Sequence, residues 1–154
     1  MVFIANAHAD TARIRWNVNK HYYQDFWDEP LTWATAKSRC QSKGAHLATI
    51  TSEAEDAFIY NELVGPNWDA WIGASDAAAE GKFKWVTGEP WKFNRLDDIG
   101  DEDYVFMDWV QGLWHTAPAR EVIGYVCEWS ANNYVGMTHV PDMNGNGVGE
   151  IAVL

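Results

Sequence analysis

The feature that most constrains this chain is a change of hydrophobic period near Gly65. Before it, apolar residues recur three and four apart, the spacing that lines one face of a helix. In "EPLTWATAKSRCQSKGAHL" Trp33, Ala36 and Cys40 share such a face, while Lys37 and Arg39 fall off it and Gly44 supplies a stop. In "TSEAEDAFIYNELVG" Ala54, Phe58, Ile59 and Leu63 give a second apolar stripe, closed by Gly65-Pro66. Ser52 and Glu55 have the capping-box spacing, in which each side chain satisfies an orphan backbone donor. After Gly65 the apolar runs are short, aromatic or β-branched, and broken by Gly, Asp and Pro: "AWIGA", "KFKWV", "DYVFMDWV" and "GYVCEW". An earlier run, Ile14, Trp16 and Val18, alternates like a strand with one buried face. Two early helices followed by a crowd of short strands predict an α+β domain.

A chain of 154 residues suits one domain with a core of its own. Its ten Trp residues are expected mostly in that core, with stacking on flat ligands such as sugar rings as the other use of such side chains. The net charge of −11 argues against a nucleic-acid partner and against anionic membrane, both of which need basic surfaces. No run is long enough to span a membrane. The start, "MVFIANAHAD", lacks the basic and apolar regions of a signal peptide, which leaves two readings open: an export signal already removed, or a chain excised from something longer. Cys40 and Cys127 could close a loop of about 87 residues. Five of the seven residues from Asp97 to Asp103 are acidic, in a stretch from 86 to 103 with little regular pattern. Such a run is either a solvated face or a set of oxygen ligands for a hard cation.

The order of these pieces resembles the C-type lectin-like domain. "HYY" at 21, "TWATAKSRCQSKGAHLATITSEAEDAFI", "WIGASD" at 71, "EGKFKWVTGEP" at 80, "EDYVFM" at 102, "GLW" at 112 and "YVCEW" at 125 match in sequence order across most of residues 20 to 130. The resemblance implies two helices, two small antiparallel sheets and a long loop region. It also implies a disulfide between Cys40 and Cys127, joining the first helix to the last strand. The family's second bridge would fall near Tyr104 and Ala119, where this chain has no Cys.

In the lectin branch of the family, sugar is bound directly through calcium, which takes six to eight oxygens. The family's ligands lie in Glu-Pro-Asn or Gln-Pro-Asp, then a Glu, then Trp-Asn-Asp. "GEPW" at 88 falls in the earlier turn. The Glu-Pro-Asn place falls in "RLDDIGDEDYV", which has no Pro. Glu102 matches the later Glu, and the Trp-Asn-Asp place reads Trp114-His115-Thr116. The resemblance therefore implies a damaged sugar-calcium site, with Asp97, Asp98, Asp101 and Glu102 available to form a calcium site of their own. Trp91, Asn94, Trp114 and His115 are the ligand-binding candidates beside it, with a core position for Trp114 as the other reading. A second, structural calcium is implied at Glu55 and Glu128 with the carbonyl of Thr49; Glu55 also serves as a helix cap.

The domain is expected to end near residue 131. In the tail, 132–154, "DMNGNGVGE" puts Asp142, Asn144, Asn146 and Glu150 at alternating positions of a turn, with Gly147 permitting the sharp bend. Val153 stands where an EF-hand needs its last Glu. The stretch resembles the calcium loop of repeats in integrin-like propellers and bacterial adhesins, which implies a following module of a bacterial protein.

Catalytic motifs are absent: there is no Gly-x-Ser-x-Gly elbow, phosphate loop or His-Glu-x-x-His. Of His8, His21, His46, His115 and His139, only His115 lies in the loop region. The expectation is an extracellular or cell-surface, non-enzymatic binding module that recognises glycan with Ca²⁺. The alternative is a protein-binding or structural domain of an adhesin.

Overall fold

The computed structural model describes residues 12–65, 68–97 and 100–131. The calls on Asp98, on His8 and His139, and on the tail ligands Asp142, Asn144, Asn146 and Glu150 lie outside them. The helices are α1 (Trp33–Ser42) and α2 (Glu53–Ile59), the second continued by a π-helical turn, Tyr60–Val64. The strands are β1 (Ile14–Arg15), β2 (Tyr22–Asp25), β3 (His46–Leu47), β4 (Ala70–Ser75), β5 (Lys84–Trp85), β6 (Tyr104–Met107), β7 (Trp114–Ala117) and β8 (Gly124–Trp129).

The strands run in the order β1-β2-β8-β4-β6-β7, with β3 on β8 and β5 on β4. All pairings are antiparallel except β4 with β8. β8 and β4 are buried along almost their whole length, which explains their near-continuous apolar sequence. Gly73 is needed in β4, because a Cβ there would lie 2.6 Å from the Leu47 carbonyl oxygen.

α1 buries Trp33, Ala36 and Cys40, as their spacing requires. Cys40 is bonded to Cys127 of β8, with Cα atoms 5.5 Å apart. α2 departs from the expected stripe. Ala54 is exposed, and the inner face carries Glu55 and Asp56 beside Ile59. Ser52 Oγ accepts the Glu55 N–H at 3.2 Å, so half of the capping box forms; Glu55 instead accepts from the Thr51 N–H at 2.8 Å. Val18 also departs from its strand reading. It is 72% exposed, because the chain turns after Trp16 and Lys20 takes a positive φ.

The described residues of the segment from 86 to 103 carry no strand apart from an isolated bridge, Leu96 beside Trp114. Backbone bonds from Asp97 N–H to Trp114 O and from Trp114 N–H to Arg95 O lay this long loop along β7.

Candidate functional site

The site is built where the long loop, β4 and the β6–β7 hairpin meet. Trp114 leads β7 and points inward. It is fully buried, and its indole N–H donates to Asp56 Oδ1 at 2.8 Å. Asp56, also fully buried, takes the Arg95 guanidinium on its other oxygen at 2.9 Å. Burial pushes the Asp56 carboxyl up, against the Trp114 and Arg95 hydrogen bonds. The long loop is thereby tied to α2 through one buried carboxylate.

Two sequence candidates are corrected here. Trp114 cannot offer a stacking face, because no part of it is exposed. Trp91 is half-buried and packs against Phe83, Trp85 and Trp114, with ring centroids 4.8 to 6.0 Å apart. The expected platform is thus the aromatic floor of the loop. Asn94 is exposed on that loop.

His115 follows Trp114 on the opposite face of β7. Its ring lies 5.6 Å from Phe106, and Nε2 is 3.2 Å from Asp108 Oδ2. Asp108 organises the hairpin turn by accepting the N–H groups of Val110, Gln111 and Leu113 at 2.7, 2.8 and 2.9 Å. Burial works against its charge, but those N–H groups and His115 outweigh it, so its carboxyl lies below the usual range. An open cleft of about 380 Å³ lies over this hairpin, lined by Asp69, Asp97, Asp108, Gln111, His115 and Trp109 among others. Asp97, expected as a metal ligand, and His115, expected as a ligand-binding residue, line the same cleft. Asp69, Asp108 and Trp109 were missed, although an Asp opening a short turn is a readable signal.

The acid loop divides. Asp97 faces this cleft, and Asp101 and Glu102 are exposed. A second group of acids was missed. Asp76, at the end of "WIGASD", is 1% exposed; its Oδ2 accepts the Gly81 N–H at 2.7 Å, while its Oδ1 is buried without a partner. The Asp76 N–H donates to Asp103 O at 3.1 Å. Slight desolvation, then repulsion from Asp76, Asp101 and Asp103, holds the Glu80 carboxyl above the usual range. The readable signal was Asp76 and Glu80 four apart just ahead of an acidic loop. Among the described residues, no three His, Cys, Asp or Glu side chains stand close enough to hold a metal ion as they are. The chemistry of the Asp76 group nonetheless fits a hard cation. All its donors are carboxylates, and one buried carboxylate oxygen lacks any positive partner. The Trp-Asn-Asp place does not fit, because His115 is engaged by Asp108 and Thr116 offers only a hydroxyl.

Glu55 and Glu128 do meet, both buried, but protein donors already fill their oxygens. Tyr23 Oη donates to Glu55 Oε1 at 2.6 Å, and His21 Nδ1 lies 2.5 Å from Glu128 Oε1. The N–H groups of Thr51 and Thr49 bind the other oxygen of each. Thr49 thus contributes its N–H, where its carbonyl was expected. The Glu128 hydrogen bond, outweighing burial, holds His21 above its ordinary value of 6.5.

Comparison with known proteins agrees with this architecture. Residues 29–129 match the profile of the Lectin C-type domain. The chain is 39% identical over 74 residues to rat C-type lectin domain family 4 member F, covering 48% of this chain and 13% of that protein. It is 33% identical over 105 residues to rat versican core protein, covering 63% of this chain and 4% of that one. It therefore spans only a small part of either relative. Among solved structures, the cow C-type carbohydrate-recognition domain of CD23, determined in the presence of GlcNAc2Man3 oligosaccharide, superposes with a TM-score of 0.68 at 27% identity, covering 80% of this chain and 96% of that one. These relatives are animal proteins, so the bacterial placing has no support, and the match does not reach the tail at 132–154, where an adhesin repeat was expected. The family is one of binding domains, and its matched residues include α1, α2, the long loop and the closing strand: this chain belongs to the C-type lectin domain family.

Proposed function

We propose that the chain is a carbohydrate-recognition module whose long loop is braced by a calcium ion at Asp76, Glu80, Asp101 and Asp103. The observation that carries this reading is the buried, unpartnered Oδ1 of Asp76. A buried carboxylate oxygen without a partner is costly, and only a bound cation or water would relieve it. Calcium bound there would supply the positive charge that offsets these acids and draws the loop together. The calcium set expected from the sequence was Asp97, Asp98, Asp101 and Glu102, of which only Asp101 belongs to this group.

Sugar hydroxyls would meet the cleft over the hairpin. Asp97, Asp108 and Gln111 can accept from hydroxyls, His115 and Gln111 can donate, and Trp109 supplies an apolar wall. The acids disfavour anionic sugars, so neutral glycans are the expected class. The C-type carbohydrate-recognition domain of cow CD23, crystallised with an oligosaccharide, supports this reading by likeness.

A glycan array read in calcium and again in chelator tests it. Retention of neutral glycans in calcium, reduced by chelator and by His115→Ala, is the expected result. Absence of glycan binding in both buffers would overturn it and favour the protein-binding alternative.

A further inference from the structure

Four of the five large hydrophobic residues most exposed on the described surface gather on one side of the hairpin: Trp68, Trp109, Val110 and Val122, at 48, 44, 60 and 54% exposure. Three of them, Trp68, Trp109 and Val122, line a second cleft of about 330 Å³ together with Trp27, Pro30 and Asp69, while Val110 lines the first. Contiguous exposed apolar surface of this kind marks an interaction face. Trp68 is stacked on Trp27, with centroids 5.1 Å apart and planes 14° from parallel.

The hairpin tip is rigidly built although it is apolar. Asp69 Oδ1 accepts the Trp109 N–H at 3.1 Å, and Tyr60 Oη donates to the carbonyls of Trp109 and Val110 at 3.2 and 3.1 Å. A tip held this way loses little freedom when a partner binds.

The cleft also selects by charge. Among the described residues that line it, Asp69 is the only charged side chain and none is Lys or Arg. Asp69 is further surrounded by the negative fields of Asp108 and Glu121, with His115 the opposing group. A flat cation suits such a setting, since guanidinium stacks on indole faces and bonds to carboxylate. Sugar suits it less, because Pro30 and Val122 offer hydroxyls nothing to bond.

We propose that this aromatic cleft docks a basic segment of a partner polypeptide, an arginine side chain lying against the exposed indoles and reaching Asp69. This goes beyond the glycan reading, which uses the polar cleft on the other side of Trp109.

The test is an NMR titration of the whole chain, reading the indole N–H signals of Trp27 and Trp68, which line this cleft and not the polar one. The probe is the peptide acetyl-Gly-Arg-Leu-Arg-Gly-amide, with its citrulline counterpart as the neutral control. Saturable shifts with the arginine peptide alone are expected. Trp68→Ala and Asp69→Asn should each weaken them about fivefold or more, with Asn still able to accept the Trp109 N–H. Glu89→Gln, which removes one charge from an exposed loop position, should leave affinity unchanged. Equal weakening by Glu89→Gln would mean diffuse attraction to an acidic protein and would overturn the proposal, as would the absence of saturation. Shifts of the same indoles on adding methyl glycosides, or on diluting the chain alone, would overturn it in favour of a sugar subsite or a second copy.

Discussion

Single residues carry the coupling between the long loop and the helices. Asp56 holds Arg95 from the loop and the Trp114 indole from β7 at once. Removing one donor leaves a buried carboxylate under-satisfied. Trp114→Phe and Arg95→Ala should each cost about 2 kcal/mol of unfolding free energy in urea titrations. If Trp114 acted only by filling space, its Phe variant would cost far less than its Ala variant and would leave the loop unchanged. His21 sets a pH dependence. Its value is raised by the fold, so its stabilising bond to Glu128 is fully present below about 6.5, and it is lost as pH rises through the folded value. The stability gap between the native chain and His21→Gln should therefore be widest near pH 6 and shrink toward pH 9. A gap independent of pH would remove the charged bond from the account. Burial also pushes the Glu55 carboxyl up, but Glu55 is common to both proteins and cancels from their gap.

At the scale of elements, two devices fix the frame. The disulfide staples α1 to β8 across a separation of 87 residues. Replacing both cysteines by alanine should cost about 4 kcal/mol by the loop-closure argument. The hairpin tip turns on Gly112, which has φ +68° and would place a Cβ 2.8 Å from the Tyr60 ring. Gly112→Ala should lower stability by about 1–2 kcal/mol and disturb the Trp109 signal; a neutral variant would mean the tip is not held by Tyr60. The helix faces of α1 and the positions of β4, β6 and β8 were legible, because their apolar periods report burial directly. The inner face of α2 was not. Buried Glu55 and Asp56 look like surface residues until their partners, from Tyr23 to Trp114, are brought in from distant sequence. Val18 misled for the opposite reason: the alternation ran on into the turn that follows Trp16.

For the whole molecule, the order of motifs was enough to read the α+β fold and its disulfide, while the site was read only in part. Asp97 and His115, candidates for different roles, line one cleft, because they sit on the loop and strand that the pattern marked. Asp76 was overlooked, because it lies 21 residues before Asp97 in the chain and only folding places it beside Asp103. The net charge of −11 makes every added cation somewhat stabilising, so specific calcium binding must be separated from screening. The decisive measurement is a calorimetric calcium titration of the native chain and Asp76→Asn at constant ionic strength. The account predicts saturable binding by the native chain, with a rise in melting temperature that grows with free calcium. Both should be absent or greatly reduced in Asp76→Asn. Identical isotherms for the two proteins, or no saturable heat in either, would contradict it.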